Sequence, residues 1–290
     1  MNNLTIIFNA YHSRKSLLKV LINLKKYKII IVENSLDREI KKEIEKKYPN
    51  VKVIIPKENL GLARGYNLAI KHSKTKYVFL NNPDMKISNK SITRLMFCAK
   101  KIKNFGVIAP IYRSEKTYKN YSNYEVKLRN SSFFIKNKIS EVSWIDNNFL
   151  IDKTKIKKNL FDENYFLYFE TYDFCLNLMR KSMKMLIVKK VKFKHYGSGS
   201  TDVKYNKIII LTRVWHYNWS KFYYFRKNFN YIYALTKIAP NLIQAIKKMI
   251  VSIIRLDKFN TYLSFIELYG IASSLLCLKS FYRPSHKNLN

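Results

Sequence analysis

Acidic residues are scarce in this chain of 290: 19 Asp and Glu stand against 55 Lys and Arg, a formal net charge of +36. Such an excess brings nucleic acid or an anionic membrane to mind as partner. The lysines, however, are spread along the whole chain and far outnumber the arginines, as when AT-rich codons raise Lys, Asn, Ile and Tyr together. Dispersed lysine without an RNP, zinc or helix-turn-helix signature argues against nucleic acid. Cysteine is almost missing. Cys98, Cys175 and Cys277 lie far apart and form no CxxC pair, which excludes a disulfide framework or cysteine zinc site and fits reduced thiols in the cytoplasm. Six glycines and six prolines leave no linker or low-complexity block. No run reaches the ~18 apolar residues of a transmembrane helix. Leu4 to Phe8 is too short an apolar run for a signal peptide. The expected location is the cytoplasm, with peripheral attachment to the inner face of its membrane as an option.

What is present alternates. Leu4 to Phe8, Ile29 to Val32, Val51 to Ile55 and Tyr77 to Leu80 read as short buried strands, and helical spacing covers Ser16 to Lys25, Arg38 to Lys47 and Ala63 to His72. Ser13 and Asp37 are placed to cap the first two helices. This order implies an α/β fold built on a mainly parallel sheet. A helix from about Ser88 to Lys103 and a strand at Val107 to Ala109 follow. Residues 111–142 read as irregular or hairpin structure, Trp144 to Ile151 as a strand with a polar centre, Phe174 to Lys184 as a helix, and Leu186 to Val188 with Val191 to Phe193 as extended. The expected division is a domain over 1–215, with halves of about 1–110 and 111–215, and a helical, aromatic and basic region over 216–290.

Several segments carry chemistry. Asn82-Pro83-Asp84 closes the buried run Lys76 to Asn81, and Pro83 forces a turn that aims Asp84 out of the sheet edge. One carboxylate there suits Mg²⁺ or Mn²⁺ bridging two phosphates, and the bland alternative is a turn acid capping the next helix, a role Ser88 or Asn89 could take instead. In Asn59-Leu-Gly61-Leu-Ala-Arg64-Gly65-Tyr-Asn67 the glycines admit a close ligand and Arg64 could pair with a diphosphate, or the pair is an incidental helix start. Glu170 and Asp173 share one helix face, as catalytic acids or as charges matched to the macrodipole. His195 precedes Gly-Ser-Gly-Ser200, a loop rich in backbone donors that could close on phosphates.

Taken in order, Val32-Glu-Asn-Ser35, the Asn59 to Asn67 segment, Asn82-Pro-Asp84, Phe161-Asp-Glu, Phe166-Leu-Tyr-Phe-Glu170-Thr-Tyr-Asp173-Phe-Cys175 and His195-Tyr-Gly-Ser-Gly-Ser200 resemble the inverting family-two glycosyltransferases of GT-A fold. The resemblance covers about residues 1–235. It leans toward the bacterial rhamnosyltransferase-like branch, which Tyr223-Tyr-Phe-Arg-Lys-Asn228 also suggests. It implies a Rossmann-like mixed sheet flanked by helices, with a C-terminal helical extension. It implies that Asn9, Tyr11, Glu33 and Asn34 line a nucleoside pocket with Asn59, Gly61, Arg64, Asn67 and Asn82 nearby, and that Asp84 and His195 hold Mg²⁺ or Mn²⁺. Trp144 and Asp146 fall on the acceptor side. The acidic pair usual at the head of the catalytic helix is here Glu170-Thr171, which leaves Glu170 as first candidate base and Asp173 as second. Glu33 replaces a more usual Asp, and Asn82 the first acid of the family's DxD. The implied partners are a dTDP- or UDP-sugar and a surface glycan or lipid-linked oligosaccharide.

The C-terminal stretch stays open between two readings. Leu242 to Arg255 and Leu263 to Leu278, within a contact region of about 240–280, fit helices lying in a membrane interface. They fit equally a pair packed on the catalytic domain or on a homodimer partner. Two other functions compete with transfer: a catalytically inactive membrane scaffold, motivated by Thr171, and, more remotely, the nucleic-acid binder.

Overall fold

The computed structural model describes residues 3–113, 119–155, 159–195 and 205–284. The chain divides into two compact units. The first is Met1–Leu60, Arg64–Phe161 and Phe174–Asp202, and the second is Gly61–Ala63, Asp162–Asp173 and Val203–Asn290.

Among the described residues of the first unit, ten strands make one sheet. They are β1 (Leu4–Ala10), β2 (Lys28–Glu33), β3 (Val51–Ile54), β4 (Tyr77–Asn81), β5 (Met85–Lys86), β6 (Val107–Arg113), β7 (Glu125–Lys127), β8 (Ile139–Val142), β9 (Leu150–Asp152) and β10 (Met185–His195). Their order is β3-β2-β1-β4-β9-β6-β10-β8-β7, with β5 paired to β10. The pairs β3–β2, β2–β1, β1–β4 and β6–β10 are parallel, while β9 runs antiparallel between β4 and β6. The central strands are apolar at successive positions because both faces are covered: Ile6, Phe8, Ile31 and Phe79 are buried on one face, and Ile7, Ile30, Val78 and Leu80 are buried as well.

The helices of this unit largely follow the expected spacing. They are α1 (Arg14–Leu21), α2 (Arg38–Lys47), most of α3 (Gly61–His72), α4 (Asn89–Lys101), α5 (Ser132–Asn137) and most of α6 (Glu170–Arg180). Asp37 caps α2 by accepting from the Glu39 and Ile40 N–H groups. Ser13 does not cap α1 through its side chain. Its backbone lies outside the extended cap geometry, and its hydroxyl donates to the Tyr11 carbonyl at 3.0 Å instead. Two further expectations are revised. Residues 144–149 are not a continuous strand: Ile145 makes an isolated antiparallel bridge to Tyr121, Asn148 takes φ +83°, and the ladder begins at Leu150, and the two extended runs near 186–193 are one strand with a bulge between Val188 and Lys192. The Lys- and Tyr-rich 111–142 region holds β7, α5 and β8, with residues 114–118 outside the described part.

The second unit is helical, with α7 (Asn206–Asn228), α8 (Tyr231–Ile254) and α9 (Lys258–Leu275). Residue 215 falls inside α7, where Trp215 packs with Leu211, Trp219 and Ile266. Gly270 of α9 lies against α7 so closely that a Cβ would stand 2.6 Å from the Trp215 carbonyl oxygen. The chain after α9 returns along α7: Trp219 Nε1 donates to the Leu278 carbonyl and the Tyr282 ring stacks on Trp215.

Candidate functional site

Three parallel strands, β1, β2 and β4, bring Ala10, Glu33 and Asn81 to one edge of the first unit's sheet. The carboxyl edge of an α/β sheet is where ligands bind, beside the point where strand order reverses. Asn34 Nδ2 donates to Asn9 Oδ1, and Asn34 Oδ1 accepts from the Leu60 N–H at 2.9 Å, so the two expected amides form one chain leading to α3. A Cβ on Gly65 would lie 2.6 Å from Asn9 Nδ2, which is why that helix position is glycine. Tyr11 packs its ring against His12 close by in the chain.

Glu33 is fully buried. Its Oε1 accepts from the Ser35 N–H at 2.8 Å and from the Ser35 hydroxyl, while Oε2 has no hydrogen-bond partner among the described residues. Burial pushes the carboxyl up from 4.5 to about 7, against the lowering effect of the Ser35 bonds. The folded state therefore holds this proton more tightly than the unfolded chain. The resulting stability is complete below pH 4.5 and lost as pH rises through about 7, at a cost of roughly 3 kcal/mol. Glu33→Gln keeps the Ser35 bonds without the charge. Its thermal midpoint should match wild type at the acid end of this range and exceed it above neutrality; equal midpoints at both ends would show an ordinary carboxylate.

Other expected nucleotide contacts are already engaged. Arg64 pairs with Glu58 at 2.9 Å on the surface. The Asn67 amide brackets the Phe161 backbone, donating to its carbonyl at 2.9 Å and accepting from its N–H at 3.1 Å. Asn59 sits in the loop before α3, and Gly61, which opens α3 at φ +69°, belongs to the second unit. A Cβ there would meet the Phe166 carbonyl oxygen at 2.3 Å, and the Leu62 N–H donates to that same oxygen. Close packing alone accounts for this glycine.

Asp84 follows β4 and is nearly buried, and Ser88 rather than Asp84 caps α4, accepting from the Ser91 N–H. The turn is held by Asn148, a residue the sequence reading passed over, whose Oδ1 accepts from the Asn82 N–H at 2.8 Å, and by Tyr66, whose hydroxyl meets Asn82 Oδ1 at 3.3 Å. Antiparallel pairing of β5 with β10 sets His195 opposite Met85, so its backbone arrives one residue from Asp84. The His195 side chain and the 196–200 loop lie outside the described residues. No cluster of three His, Cys, Asp or Glu exists among the described residues. A hard cation bridging phosphates needs only one or two protein carboxylates, and Asp84 meets that requirement. Of the two residues expected on the acceptor side, Asp146 accepts from the Tyr112 hydroxyl at 2.9 Å and from the Asn147 N–H, and Trp144 lies two residues before it. The Cys98 and Cys175 thiols, pushed up by burial to about 11 and about 12, are inert.

The second unit holds the other two candidates. Glu170 is the first residue of α6, and it follows two non-glycine residues in the left-handed region, Tyr168 at φ +69° and Phe169 at φ +63°. Such backbone costs about 1–3 kcal/mol per residue and persists only where the surroundings over-determine it. Here the Phe169 ring packs on Tyr172, Tyr217 and Tyr224, and Tyr168 packs on Tyr217. Glu170 is buried, and the hydroxyl of Thr171, which stands where an acid was expected, donates to Glu170 Oε1 at 3.2 Å.

Asp173 is held differently. Lys227 Nζ lies 2.7 Å from its Oδ2 and Asn228 Nδ2 donates to its Oδ1 at 2.8 Å. The same Lys227 reaches Asp162 Oδ2 at 2.8 Å, and the Tyr223 hydroxyl donates to that oxygen too. One cation thus ties the two ends of the 162–173 segment together. Burial works to lower the Lys227 ammonium, but its bonds to Asp162 and Asp173 outweigh that and raise it above its usual range. Lys227 and Asn228 close the Tyr223 to Asn228 run, and nothing in their local sequence signals these partners.

Residues 5–166 match the family described as Glycosyl transferase family 2. No curated protein matches the chain. Among solved structures, GalNAc-T7 with UDP, GalNAc and Mn2+ is 12% identical, with a TM-score of 0.56 over 84% of this chain and 58% of its own, so the chain spans little more than half of that protein. The mannosyltransferase PcManGT from Pyrobaculum calidifontis, in complex with GDP-Man and Mn2+, is 11% identical, with a TM-score of 0.54 over 94% of this chain and 87% of its own. S. aureus TarS 1-349 is 12% identical, with a TM-score of 0.53 over 95% and 90%. These likenesses establish the GT-A architecture: a mixed, mostly parallel sheet flanked by helices, followed by C-terminal helices.

Proposed function

Because the chain belongs to glycosyl transferase family 2, we propose that it is an inverting, divalent-metal-dependent hexosyltransferase of the rhamnosyltransferase-like kind. It moves a sugar from a dTDP- or UDP-linked donor to a growing surface glycan, such as a capsule or lipopolysaccharide chain, or to its lipid-linked precursor. The observation that carries this reading is the gathering of Asn9, Glu33 and Asn34 at the sheet edge where β4 runs out toward Asp84. The buried Glu33 Oε2 suits a nucleobase N–H. The UDP and GDP-Man bound by the solved neighbours support a nucleotide-sugar donor, and their Mn2+ a divalent cation. Tyr11, Asn59, Arg64, Asn67 and Asn82 are the further donor-side candidates of the first unit, and Trp144 and Asp146 are assigned to the acceptor side.

In the reaction, Glu170 takes the proton of the acceptor hydroxyl as its oxygen bonds the anomeric carbon and the bond from that carbon to the diphosphate breaks, inverting the centre. Asp173, with both oxygens engaged by Lys227 and Asn228, is the weaker candidate for base. Asp84 and His195 would hold the cation, whose charge would neutralise the leaving diphosphate. The Thr171 bond to Glu170 favours an active enzyme over an inactive scaffold, since it orients the carboxylate without adding a second charge.

Thermal unfolding with a panel of dTDP-, UDP- and GDP-sugars, with and without Mn²⁺ or Mg²⁺, tests this. Saturating donor and metal should raise the midpoint by several degrees, and Asp84→Asn should remove the metal-dependent part. No shift with any donor would overturn the reading.

A further inference from the structure

Helix α8 presents apolar surface in two opposite directions. Ala234, Ile238, Ala245 and Ser252 recur at helical spacing and form its buried stripe. Ile232, Leu235, Ile243, Ile246, Ile250 and Ile254 fall within about a 100° arc on the reverse side, and all are exposed, Ile254 by 75%. Just past the helix end, Leu256 is 86% exposed and takes φ +53°, a conformation in which glycine or asparagine is the common helix terminator. The backbone therefore bears a strained, water-facing leucine at the very tip of the helical hairpin.

The charges beside this surface have one sign. α8 contains Lys237, Lys247 and Lys248 and no acid. Lys248 is paired with Glu267 at 3.1 Å, while Lys247 is exposed beside the outward arc. Arg255 and Lys258 bracket Leu256, and the one acid between them, Asp257, is occupied in capping α9 through the Asn260 N–H and amide. No helix among the described residues is long and apolar enough to cross a membrane. Two copies pairing through α8 would set Lys247, Arg255 and Lys258 near their own counterparts with no acid on that helix to answer them. An anionic bilayer answers both features, because acyl chains cover the isoleucines and headgroup phosphates meet the cations.

We propose that the outward face of α8, from Ile232 to the Leu256 tip, lies in the interface of an anionic phospholipid membrane, with Lys247, Arg255 and Lys258 at headgroup level. The inference goes beyond the transferase reading and does not depend on it.

Co-sedimentation of the full chain with phosphatidylcholine vesicles, with and without about one-third phosphatidylglycerol, tests it. The chain should bind the anionic vesicles, and Ile250→Asp/Ile254→Asp should weaken that binding at least about tenfold. Both positions are exposed, so an unchanged circular dichroism spectrum and thermal midpoint accompany the loss. Ile254→Trp should also be quenched by brominated acyl chains. Binding by the double variant equal to wild type would overturn the proposal in favour of adsorption by dispersed lysine, as would wild type left in the supernatant. A stable dimer by light scattering that the same variant splits would overturn it in favour of self-association. Donor-dependent stabilisation of the double variant stays unchanged, so failure of membrane docking and failure of the transferase reading are read separately.

Discussion

Glu170→Gln is expected to lower the turnover of sugar transfer by about 10²–10⁴-fold, the usual contribution of a positioned general base. The amide keeps the shape and can still accept from Thr171, but it cannot take a proton. Donor-induced stabilisation and the circular dichroism spectrum should stay at wild-type values, since the change lies at the first turn of α6 and leaves the Tyr168–Phe169 backbone and its ring packing in place. Asp173→Asn provides the contrast. Because Asp173 is engaged by Lys227 and Asn228, its loss should act first on stability and only secondarily on rate. Initial rates with saturating donor and acceptor separate the two, and turnover within a few-fold of wild type for Glu170→Gln would remove Glu170 from the chemistry.

The second large effect is expected at Lys227. Its ammonium serves two carboxylates, and the Asp173 side chain is only 2% exposed. Removing one partner of a buried ion pair leaves a charge without compensation, at a cost of about 3–5 kcal/mol. Lys227→Met keeps the aliphatic stem and deletes the charge, so its unfolding free energy from urea titration should fall by about that amount at neutral pH, with lower urea and thermal midpoints. Lys227→Met combined with Asp173→Asn should recover part of the loss, because the stranded charge goes too. Equal stability of wild type and Lys227→Met would show that water already screens both carboxylates. At Asp162, burial works to raise the carboxyl, but the bonds from Lys227, Asn164 and Tyr223 hold it below its usual 3.8, so this contribution is present above that value and fades as pH falls through the lowered one.

What the sequence made legible were features set by neighbours in the chain. Arg38–Lys47 is helical over the expected residues because its apolar spacing and the Asp37 cap agree. The strand run that ends in Asn82-Pro83-Asp84 stops where Pro83 can no longer join a ladder. Other features depend on contacts made at long range. The turn of Asn148 to φ +83°, which delays the start of the expected Trp144 to Ile151 strand to Leu150, matches its role in holding the Asn82 N–H some sixty residues back. Ser13 had the right identity for a cap but the wrong backbone angles. Nothing local to Lys227 or Asp173 announces their pairing, since it exists only once α7 is in place. Thr171 looked like a loss at the catalytic helix, and only its bond to Glu170 gives it a part to play.

That dependence on late sequence has a temporal side. The segment from Asp162 to Asp173 is fastened by Ser220, Tyr223, Lys227 and Asn228 of α7, by Ser280 on the Asn164 carbonyl, and by Arg283 over the Phe166 ring. On a ribosome, the sheet strands through His195 are complete before any of these residues has been synthesised, and folding tends to proceed from the N-terminal side. The sheet edge with Asn9, Glu33 and Asn34 can therefore form early, while the segment that leads into Glu170 waits first for α7 and then for residues 280–283. On the proposed roles, a chain halted before α7 would keep the sheet edge assigned to the donor and lack every one of these contacts on the segment that carries Glu170.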